Sequence, residues 1–363
     1  MNSNFFKFRF SLRSLLVAMS LGALIFWGWS INRPHWAAID ALLRADAVVV
    51  WKDDTFEWMG RYRLDAVELV VIDQDIDKAA RKSILLSLSN VQRIEGLSIS
   101  TDGEMPKEVN FPHLKFLEVA SISQLNSFSG SQKIEKLRIS AARKFRLASV
   151  SHFSNLKDLE VQCEQLEPLA EDLQLQRLSS LRLTSKLSVN LEDLAQLQKL
   201  KSLSILNCEI ENFESIWRFD KLETLRLRSI PNRSDWSSIS SLKQLEVLDI
   251  RDCAFSSLHF LSELKALEAL VLKSDRGELP SISFFDDTVL SDLTVYNPES
   301  LVFLEKTAAL VGLNVRDYSI SEADANAILK CPKLEFVSLV TCIVPESLLL
   351  KMKDEVENFE RYD

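Results

Sequence analysis

Cysteine and histidine supply most protein metal ligands and many catalytic nucleophiles and bases, and this chain uses both residue types sparingly. It has five cysteines and four histidines among 363 residues. No two cysteines have the C-x-x-C spacing of a zinc ribbon or a thiol redox centre, and five are too few for a disulfide scaffold in a chain of this length. The sequence also lacks the G-x-S-x-G, H-E-x-x-H and Walker patterns of hydrolases, zinc peptidases and nucleotide-binding proteins. We therefore expect no enzymatic activity, no cofactor and no bound metal.

The cysteines recur at a regular place, which favours a structural role over a reactive or metal-binding one. Cys208, Cys253 and Cys342 each lie eight residues after the first leucine of an L-x-x-L-x-L motif, and Cys163 lies one position earlier in its own motif. If consecutive motifs form neighbouring strands, the Cα atoms of Cys208 and Cys253 are about 10 Å apart, too far for a disulfide. Pairing of Cys331 with Cys342 stays open at this point.

The L-x-x-L-x-L motif, with Ile or Val allowed at its apolar positions, organises most of the chain. Its copies begin 20 to 24 residues apart at Ile94, Leu114, Ile134, Leu156, Leu178, Leu200, Leu222, Leu245, Leu267, Leu290, Leu310 and Leu334. Alternation of apolar and polar residues predicts a short strand with one buried face. Apolar residues at every third position of the return segment favour 3₁₀ or irregular turns over a long α-helix. One such unit cannot bury its own apolar edge, so neighbouring units must stack on a shared core.

These repeats resemble the leucine-rich repeat family, and the 22-residue units are similar to its short-repeat, internalin-like class. The resemblance covers about residues 64 to 345, with Leu64, Val67 and Leu69 as an imperfect first unit. It implies an α/β solenoid with a curved parallel sheet and short 3₁₀, irregular or helical segments on the convex side. It also implies a buried Asn or Cys at the turn after each strand, and a role in binding another macromolecule.

The beginning of the chain has the pattern of a membrane anchor. Lys7, Arg9 and Arg13 precede residues 15–31, which contain no charged side chain. Seventeen residues is near the lower limit for a transmembrane helix, and the preceding basic residues place the N-terminus in the cytoplasm. We therefore expect a single-pass membrane protein whose repeats lie outside the cytoplasm. A cleaved signal peptide is the alternative, because it shares the basic and apolar regions.

The order of these parts resembles that of bacterial membrane-anchored leucine-rich repeat proteins. The predicted regions are a basic leader and anchor at 1–33, a helix-hairpin N-terminal cap at 34–63, the repeats at 64–345 and a C-terminal cap at 346–363. Within the first cap, Val48 to Trp51 and Phe56 to Met59 flank a turn-like segment and predict a hairpin. The final strand is predicted at Val337 and Leu339.

Charge suggests where a partner would bind. The net charge is −9, and beyond the four basic residues of the leader the remaining sequence carries about −13, which argues against a nucleic-acid-binding protein. Within this acidic region, a basic patch is expected on the concave face of the sheet, formed by Arg138, Arg182, Arg226, Arg228 and Arg251. Arginine recognises carboxylates and phosphates with paired hydrogen bonds, so the patch fits a protein partner or an acidic envelope ligand.

The arginines have a second interpretation. They could pair with Glu160, Asp249 and other surface acids, or stay solvated, which is the common state of surface charge. Two other roles for the whole chain also stay open: a structural component of the cell envelope, and a regulatory subunit of an enzyme.

Overall fold

The computed structural model describes residues 48–51, 67–72, 94–100, 111–128, 132–167, 175–282, 289–356 and 358–362. Contacts divide the chain into two compact units, residues 1–117 with 126–131 and residues 118–125 with 132–363. The predicted anchor and the predicted cap helix lie outside the described residues. Within those residues, no helix has the length and apolar character needed to span a membrane.

In the first unit, three strands precede the boundary: β1 (Val48–Trp51), β2 (Val67–Ile72) and β3 (Gly96–Ile99). β1 is the strand predicted at this place, but it pairs antiparallel with β2. Phe56 to Met59, its predicted hairpin partner, lie outside the described residues. β2 and β3 run parallel. An antiparallel strand therefore lies against the first repeat strand. β4 (Phe116–Val119) contains the boundary between the two units.

The first repeat begins three residues later than predicted. Val70 pairs with Leu97 and Ile72 with Ile99, so Val70 and Ile72 take the fourth and sixth positions of the motif. Both side chains are fully buried. The motif therefore starts at Val67, and the start predicted at Leu64 is wrong. The segment is apolar at so many positions that its alternation alone fits two registers.

The second unit contains the remaining strands. They are β5 (Lys136–Phe145), β6 (Asp158–Leu166), β7 (Ser180–Ser185), β8 (Val189–Asn190), β9 (Ser202–Leu206), β10 (Ile210–Glu211), β11 (Thr224–Arg228), β12 (Val247–Cys253), β13 (Ala269–Ser274), β14 (Asp292–Tyr296), β15 (Gly312–Arg316), β16 (Phe336–Val340) and β17 (Asn358–Tyr362). β8 and β10 form a small parallel sheet of their own. The others form one parallel sheet in which each strand pairs with the corresponding strand of the next repeat.

The motif leucines set the register of this sheet. Leu181 pairs with Leu159 on one side and with Leu203 on the other, and the same position pairs across each neighbouring strand. The side chains of Leu159, Leu181 and Leu203 are at most 1% exposed. Full burial of a leucine side chain stabilises a protein by about 1.5–3 kcal/mol. The predicted repeats are therefore confirmed, and their leucines form a continuous core.

The return segments are mostly 3₁₀ helices, as the three-residue spacing predicts. They are Ile122–Phe128, Leu147–Val150, Phe213–Arg218, Ser237–Ser241, His259–Glu263 and Val302–Lys306. Phe213, Ile216 and Phe219 are each at most 1% exposed, because a helix with three residues per turn keeps them on one face. Among the described residues, three segments are α-helical: α1 (Leu191–Leu194), α2 (Glu322–Leu329) and α3 (Glu346–Glu355).

A left-handed residue ends many of the strands. The eighth motif position has a φ between 44° and 59° at Asn207, Ser229, Asp252, Asn297, Asp317 and Thr341. Short polar side chains such as Asn and Asp tolerate this conformation better than most residues. The turn directs the Asn207 N–H to the carbonyl oxygen of Arg228 at 2.9 Å, and it brings the next residue, Cys208, into the core. This backbone turn explains the regular placement of the cysteines.

The sheet extends one strand beyond the end predicted from the sequence. β17 pairs parallel with β16, with Phe359 opposite Val337. The buried Val356 follows Leu334 by 22 residues and opens a further unit. Arg361 occupies the sixth position of that unit, where the motif expects an apolar residue, so the pattern was not visible in the sequence. Residues 346–362 thus supply α3 and another repeat strand.

One buried carboxylate joins three segments near this end of the sheet. Asp324, in the first turn of α2, is 1% exposed. It accepts hydrogen bonds from the N–H of Leu301 at 2.7 Å, the N–H of Ser321 at 3.0 Å and the hydroxyl of Tyr318 at 2.9 Å. Burial raises the pKa of this carboxyl, but the donors together outweigh burial, so its pKa lies below the usual value.

We expect Asp324→Ala to lower the free energy of unfolding by about 3 kcal/mol, because it leaves buried donors without an acceptor. Urea unfolding followed by circular dichroism measures this loss. Asp220→Ala, which removes an exposed carboxylate, is the control and should change the free energy by less than about 0.5 kcal/mol.

The same loss should depend on pH. Because the folded state lowers the pKa of Asp324, the carboxylate stabilises the fold above the unfolded value of about 3.9, and this contribution disappears as the pH falls through the folded value. The gap between wild type and Asp324→Ala should therefore be constant near neutral pH and shrink in acid. A gap that widened in acid would contradict this role.

Candidate functional site

The most regular exposed feature of the second unit is the solvent-facing side of its main sheet. We call it the strand surface, formed by the third, fifth and seventh motif positions. On β11 it carries Thr224, Arg226 and Arg228, which alternate with the buried Leu225 and Leu227. Because the strands are in register, residues at the same motif position lie side by side in columns across the sheet.

Arg138 and Arg182 of the predicted patch share one carboxylate. They lie in register on either side of Glu160 in the fifth-position column. Arg138 Nη2 is 2.9 Å from Glu160 Oε2, and Arg182 Nη1 is 3.8 Å from Glu160 Oε1. Arg138 Nη1 also lies 3.8 Å from Oε1 of Glu118. These exposed pairs contribute about 0–1 kcal/mol each. Here the charges alternate and largely cancel.

Arg228 and Arg251 converge on a second, buried carboxylate. Arg228 Nη2 is 2.7 Å from Asp249 Oδ2, and Arg251 Nε is 2.7 Å from Asp249 Oδ1. The Asp249 side chain is 5% exposed, whereas those of Arg228 and Arg251 are 39% and 29% exposed. Each oxygen therefore accepts a charge-assisted hydrogen bond, and the two guanidinium groups are fixed while still facing solvent. Loss of either arginine would leave a buried carboxylate oxygen unpaired.

Arg226 differs from the other four arginines. It lies between Ser204 and Asp249 in the fifth-position column and is half-buried. Within the part of the chain that the structure describes, its guanidinium forms no hydrogen bond or ion pair. Asp249 is the acidic one of these two column neighbours, and its two oxygens accept from Arg228 and Arg251. Arg226 thus retains its hydrogen-bonding capacity for a ligand.

The five predicted arginines therefore form two groups. Arg226, Arg228 and Arg251 lie together on the adjacent strands β11 and β12. Arg138 and Arg182 lie on β5 and β7, and β9 separates them from β11. On β9 the strand surface carries the neutral residues Ser202, Ser204 and Leu206. The predicted patch is continuous only around Asp249.

The seventh-position column continues the basic character past β12. Lys273 lies beside Arg251 and places its Nζ 2.7 Å from Oδ1 of Asp252. Tyr296 follows on β14: Lys273 Nζ is 5.5 Å from its ring centroid, and Arg316 Cζ, on β15, is 5.4 Å from it. The sequence prediction did not include Arg316, although Arg316 stands at the same motif position as the predicted Arg228 and Arg251.

The cysteines form no comparable surface. All five are buried free thiols, so Cys331 and Cys342 are not paired. The thiols lie close to backbone oxygens; Cys253 Sγ is 3.1 Å from the carbonyl oxygen of Arg251. Burial raises the pKa of every one, and that of Cys208 and of Cys253 to about 12. Among the described residues, no group of three or more His, Cys, Asp or Glu is arranged to hold a metal ion.

Comparisons with known proteins concern the fold alone. No protein-family model and no curated protein matches the chain. Internalin InlF from Listeria monocytogenes is 15% identical over 91% of this chain and 96% of its own, with a TM-score of 0.47. A leucine-rich repeat protein of Leptospira interrogans is 14% identical over 76% and 80%, with a TM-score of 0.47. TLR13, in complex with ssRNA13, is 16% identical over 72% and 45%, with a TM-score of 0.48.

The chain's own geometry defines its fold. Parallel strands joined through 3₁₀ returns, in-register motif leucines and inward-turning residues after the strands are together the architecture of a leucine-rich repeat protein. The internalin-type repeat length expected from the sequence agrees with this architecture.

The raised thiol pKa values predict slow alkylation of the folded protein. A pKa of about 12 lowers the thiolate fraction of Cys208 and Cys253 at pH 8 about a thousandfold relative to an exposed thiol. Iodoacetamide labelling at pH 8, followed by mass spectrometry, should modify these two thiols in guanidinium chloride and leave them unmodified without it. Rapid labelling of either thiol in the folded protein would show that it is reactive.

Proposed function

We propose that this chain is a non-enzymatic binding protein that holds a macromolecular partner, most simply another protein, on its strand surface. The observation that carries the proposal is Arg226, whose guanidinium has no hydrogen-bond or ion-pair partner among the described residues and whose neighbours are fixed by the register of the sheet. A guanidinium can bind a carboxylate with two parallel hydrogen bonds. A site held by a rigid sheet loses little conformational entropy on binding.

The surroundings of Arg226 support this role. Asp249 fixes Arg228 and Arg251, and Arg226 lies next to Asp249 in the fifth-position column, so three arginines stand against one carboxylate here. The local charge is therefore positive, although the whole chain carries −9. An acidic group on a partner would be drawn to this place and repelled by much of the remaining surface.

We also propose that residues 15–31 tether the repeats to a membrane, with the N-terminus in the cytoplasm and the repeats outside it. The basic leader and the uncharged apolar segment in the sequence support this topology. Tethering would hold the strand surface at the membrane, where it could bind a protein partner or an acidic envelope ligand.

The binding proposal predicts that Arg226→Glu reduces retention of partner proteins at least tenfold in a pull-down from the source organism, quantified by mass spectrometry. Because Arg226→Glu places a second acid beside Asp249, the uncharged Arg226→Gln is tested with it. Arg226→Gln should also lose retention and should melt within about 2 °C of wild type, since Arg226 contributes no ion pair within the described residues. Arg228→Glu is a poorer test, since it leaves one oxygen of the buried Asp249 without its partner.

Arg218→Glu is the matched control. It makes the same change of charge on an exposed arginine of a 3₁₀ return and should leave retention unchanged. Equal loss in both variants would indicate a general charge effect. Unaltered retention with Arg226→Glu would refute the site. Self-association that survives this substitution would instead favour a structural role in the cell envelope.

The topology proposal predicts that the full chain sediments with membranes after carbonate extraction, and that a variant without residues 15–31 does not. Protease added outside intact spheroplasts should digest the chain beyond Pro34. Protection from the protease would reverse the orientation. An N-terminus found near residue 30 in the mature protein would show a cleaved signal peptide.

A further inference from the structure

We infer that the seventh-position column of β11 to β15 is a binding strip for one extended acidic polypeptide segment of the partner. The residues of this strip are Arg228, Arg251, Lys273, Tyr296 and Arg316. The inference builds on the proposed function, because it names the chemistry of the partner and extends the site by three strands beyond the predicted arginines.

The strip follows directly from the register of the sheet. Arg228 pairs with Arg251, Arg251 with Lys273, and Tyr296 with Arg316. Neighbouring strands are about 4.8 Å apart, so five of them span about 19 Å. Four of these strands present a cation, and the remaining one, β14, presents Tyr296. A column of this length matches a short extended peptide with several carboxylates.

Contacts within the protein hold the cations of the strip in place. Asp249 fixes Arg228 and Arg251, and Asp252 fixes Lys273. At the far end, Arg316 Nε lies 3.1 Å from Oδ1 of Asn314. A ligand therefore meets cations that are already ordered, which lowers the entropy cost of binding long side chains.

Tyr296 acts as a positioning residue. Its strand lies between those of Lys273 and Arg316, and both cations lie within about 5.5 Å of its ring. This contact holds the two cations beside the ring, and the ring separates two like charges. Loss of the ring should therefore weaken binding even though every cation remains.

The strip is narrow, which limits what it can bind. Asp252 and Asp317 follow the strip at the eighth position, and Asp292 lies on the far side of the fifth-position column, at the third position of β14. These carboxylates repel a polyanion that is broad enough to reach them. One extended chain that keeps its carboxylates along the column avoids them.

The same features argue for a peptide over a single-stranded nucleic acid. Nucleic-acid strands bind by stacking bases on free aromatic faces and by neutralising many phosphates. The Tyr296 ring is flanked by Lys273 and Arg316, and the chain as a whole is acidic. Spaced carboxylates on a flexible peptide meet neither obstacle.

The test uses the folded full chain and fluorescein-labelled decaglutamate, with fluorescence anisotropy at 50 mM and 300 mM NaCl. Wild type should bind the peptide, more weakly at the higher salt concentration. The double variant Lys273→Gln with Arg316→Gln should bind about tenfold more weakly. The matched double variant Arg218→Gln with Lys306→Gln removes two cations from 3₁₀ returns and should bind like wild type.

Tyr296 supplies a second readout. Tyr296→Ala should weaken decaglutamate binding, whereas Tyr296→Phe, which keeps the ring, should not. Circular dichroism melting of each variant confirms that it is folded. Equal weakening by Tyr296→Phe would refute the positioning role of the ring.

Three outcomes would overturn the inference. The first is no binding of decaglutamate by wild type. The second is binding that does not change in the Lys273 and Arg316 double variant. The third is tighter binding of a ten-nucleotide oligothymidine than of decaglutamate. If Arg226→Glu still abolished partner retention in these cases, the strip would be refuted while the proposed binding function stood. Decaglutamate binding that needs Lys273 and Arg316, with partner retention independent of Arg226, would refute the Arg226 site alone.

Discussion

The in-register contact between motif leucines is the interaction on which the second unit depends. No single unit can bury its own apolar edge, so Leu181 must lie between Leu159 and Leu203, and every neighbouring unit repeats this arrangement. Once the leucines are aligned, each exposed motif position is aligned as well. The columns of charge on the strand surface are therefore a geometric consequence of core packing, and their content depends only on which polar residue each unit carries.

This alignment brings charged residues that are distant in sequence next to each other in space. Arg138, Glu160 and Arg182 are 22 residues apart in sequence and become immediate neighbours across three strands. The same geometry brings arginines from two strands to Asp249. In the first group the side chains are exposed and the charges nearly cancel. In the second group the carboxylate is buried, and Arg226 has no partner among the described residues. Burial of Asp249 makes the second group the more rigid of the two.

Most of the repeat architecture was predictable because it depends on periodicity. The spacing of apolar residues indicated the strands, the 3₁₀ returns and the column to which each arginine belongs. Two features were not visible in the periodicity. Val67 to Ile72 is apolar enough to fit two registers, and Arg361 interrupts the pattern of the last strand. The sequence did indicate Glu160 and Asp249 as acids with which the arginines could pair, and the structure confirms both. Which arginine pairs with Asp249 was not predictable, since its choice by Arg228 and Arg251 and not by Arg226 depends on side-chain conformation.

The left-handed turn after the strands joins neighbouring repeats through main-chain atoms and leaves the seventh-position side chains on the strand surface. The turn N–H groups of Asn207, Ser229 and Asn297 bond to the carbonyl oxygens of Arg228, Arg251 and Arg316 in the next units. At these seventh positions the turn hydrogen bond requires only the main-chain carbonyl oxygen, which every amino acid has. Where the side chain has no buried partner, as at Arg316, it is free to change by substitution without disturbing how the repeats stack. Such a surface can acquire a new specificity in small steps, one column residue at a time, while the folded chain beneath it stays the same.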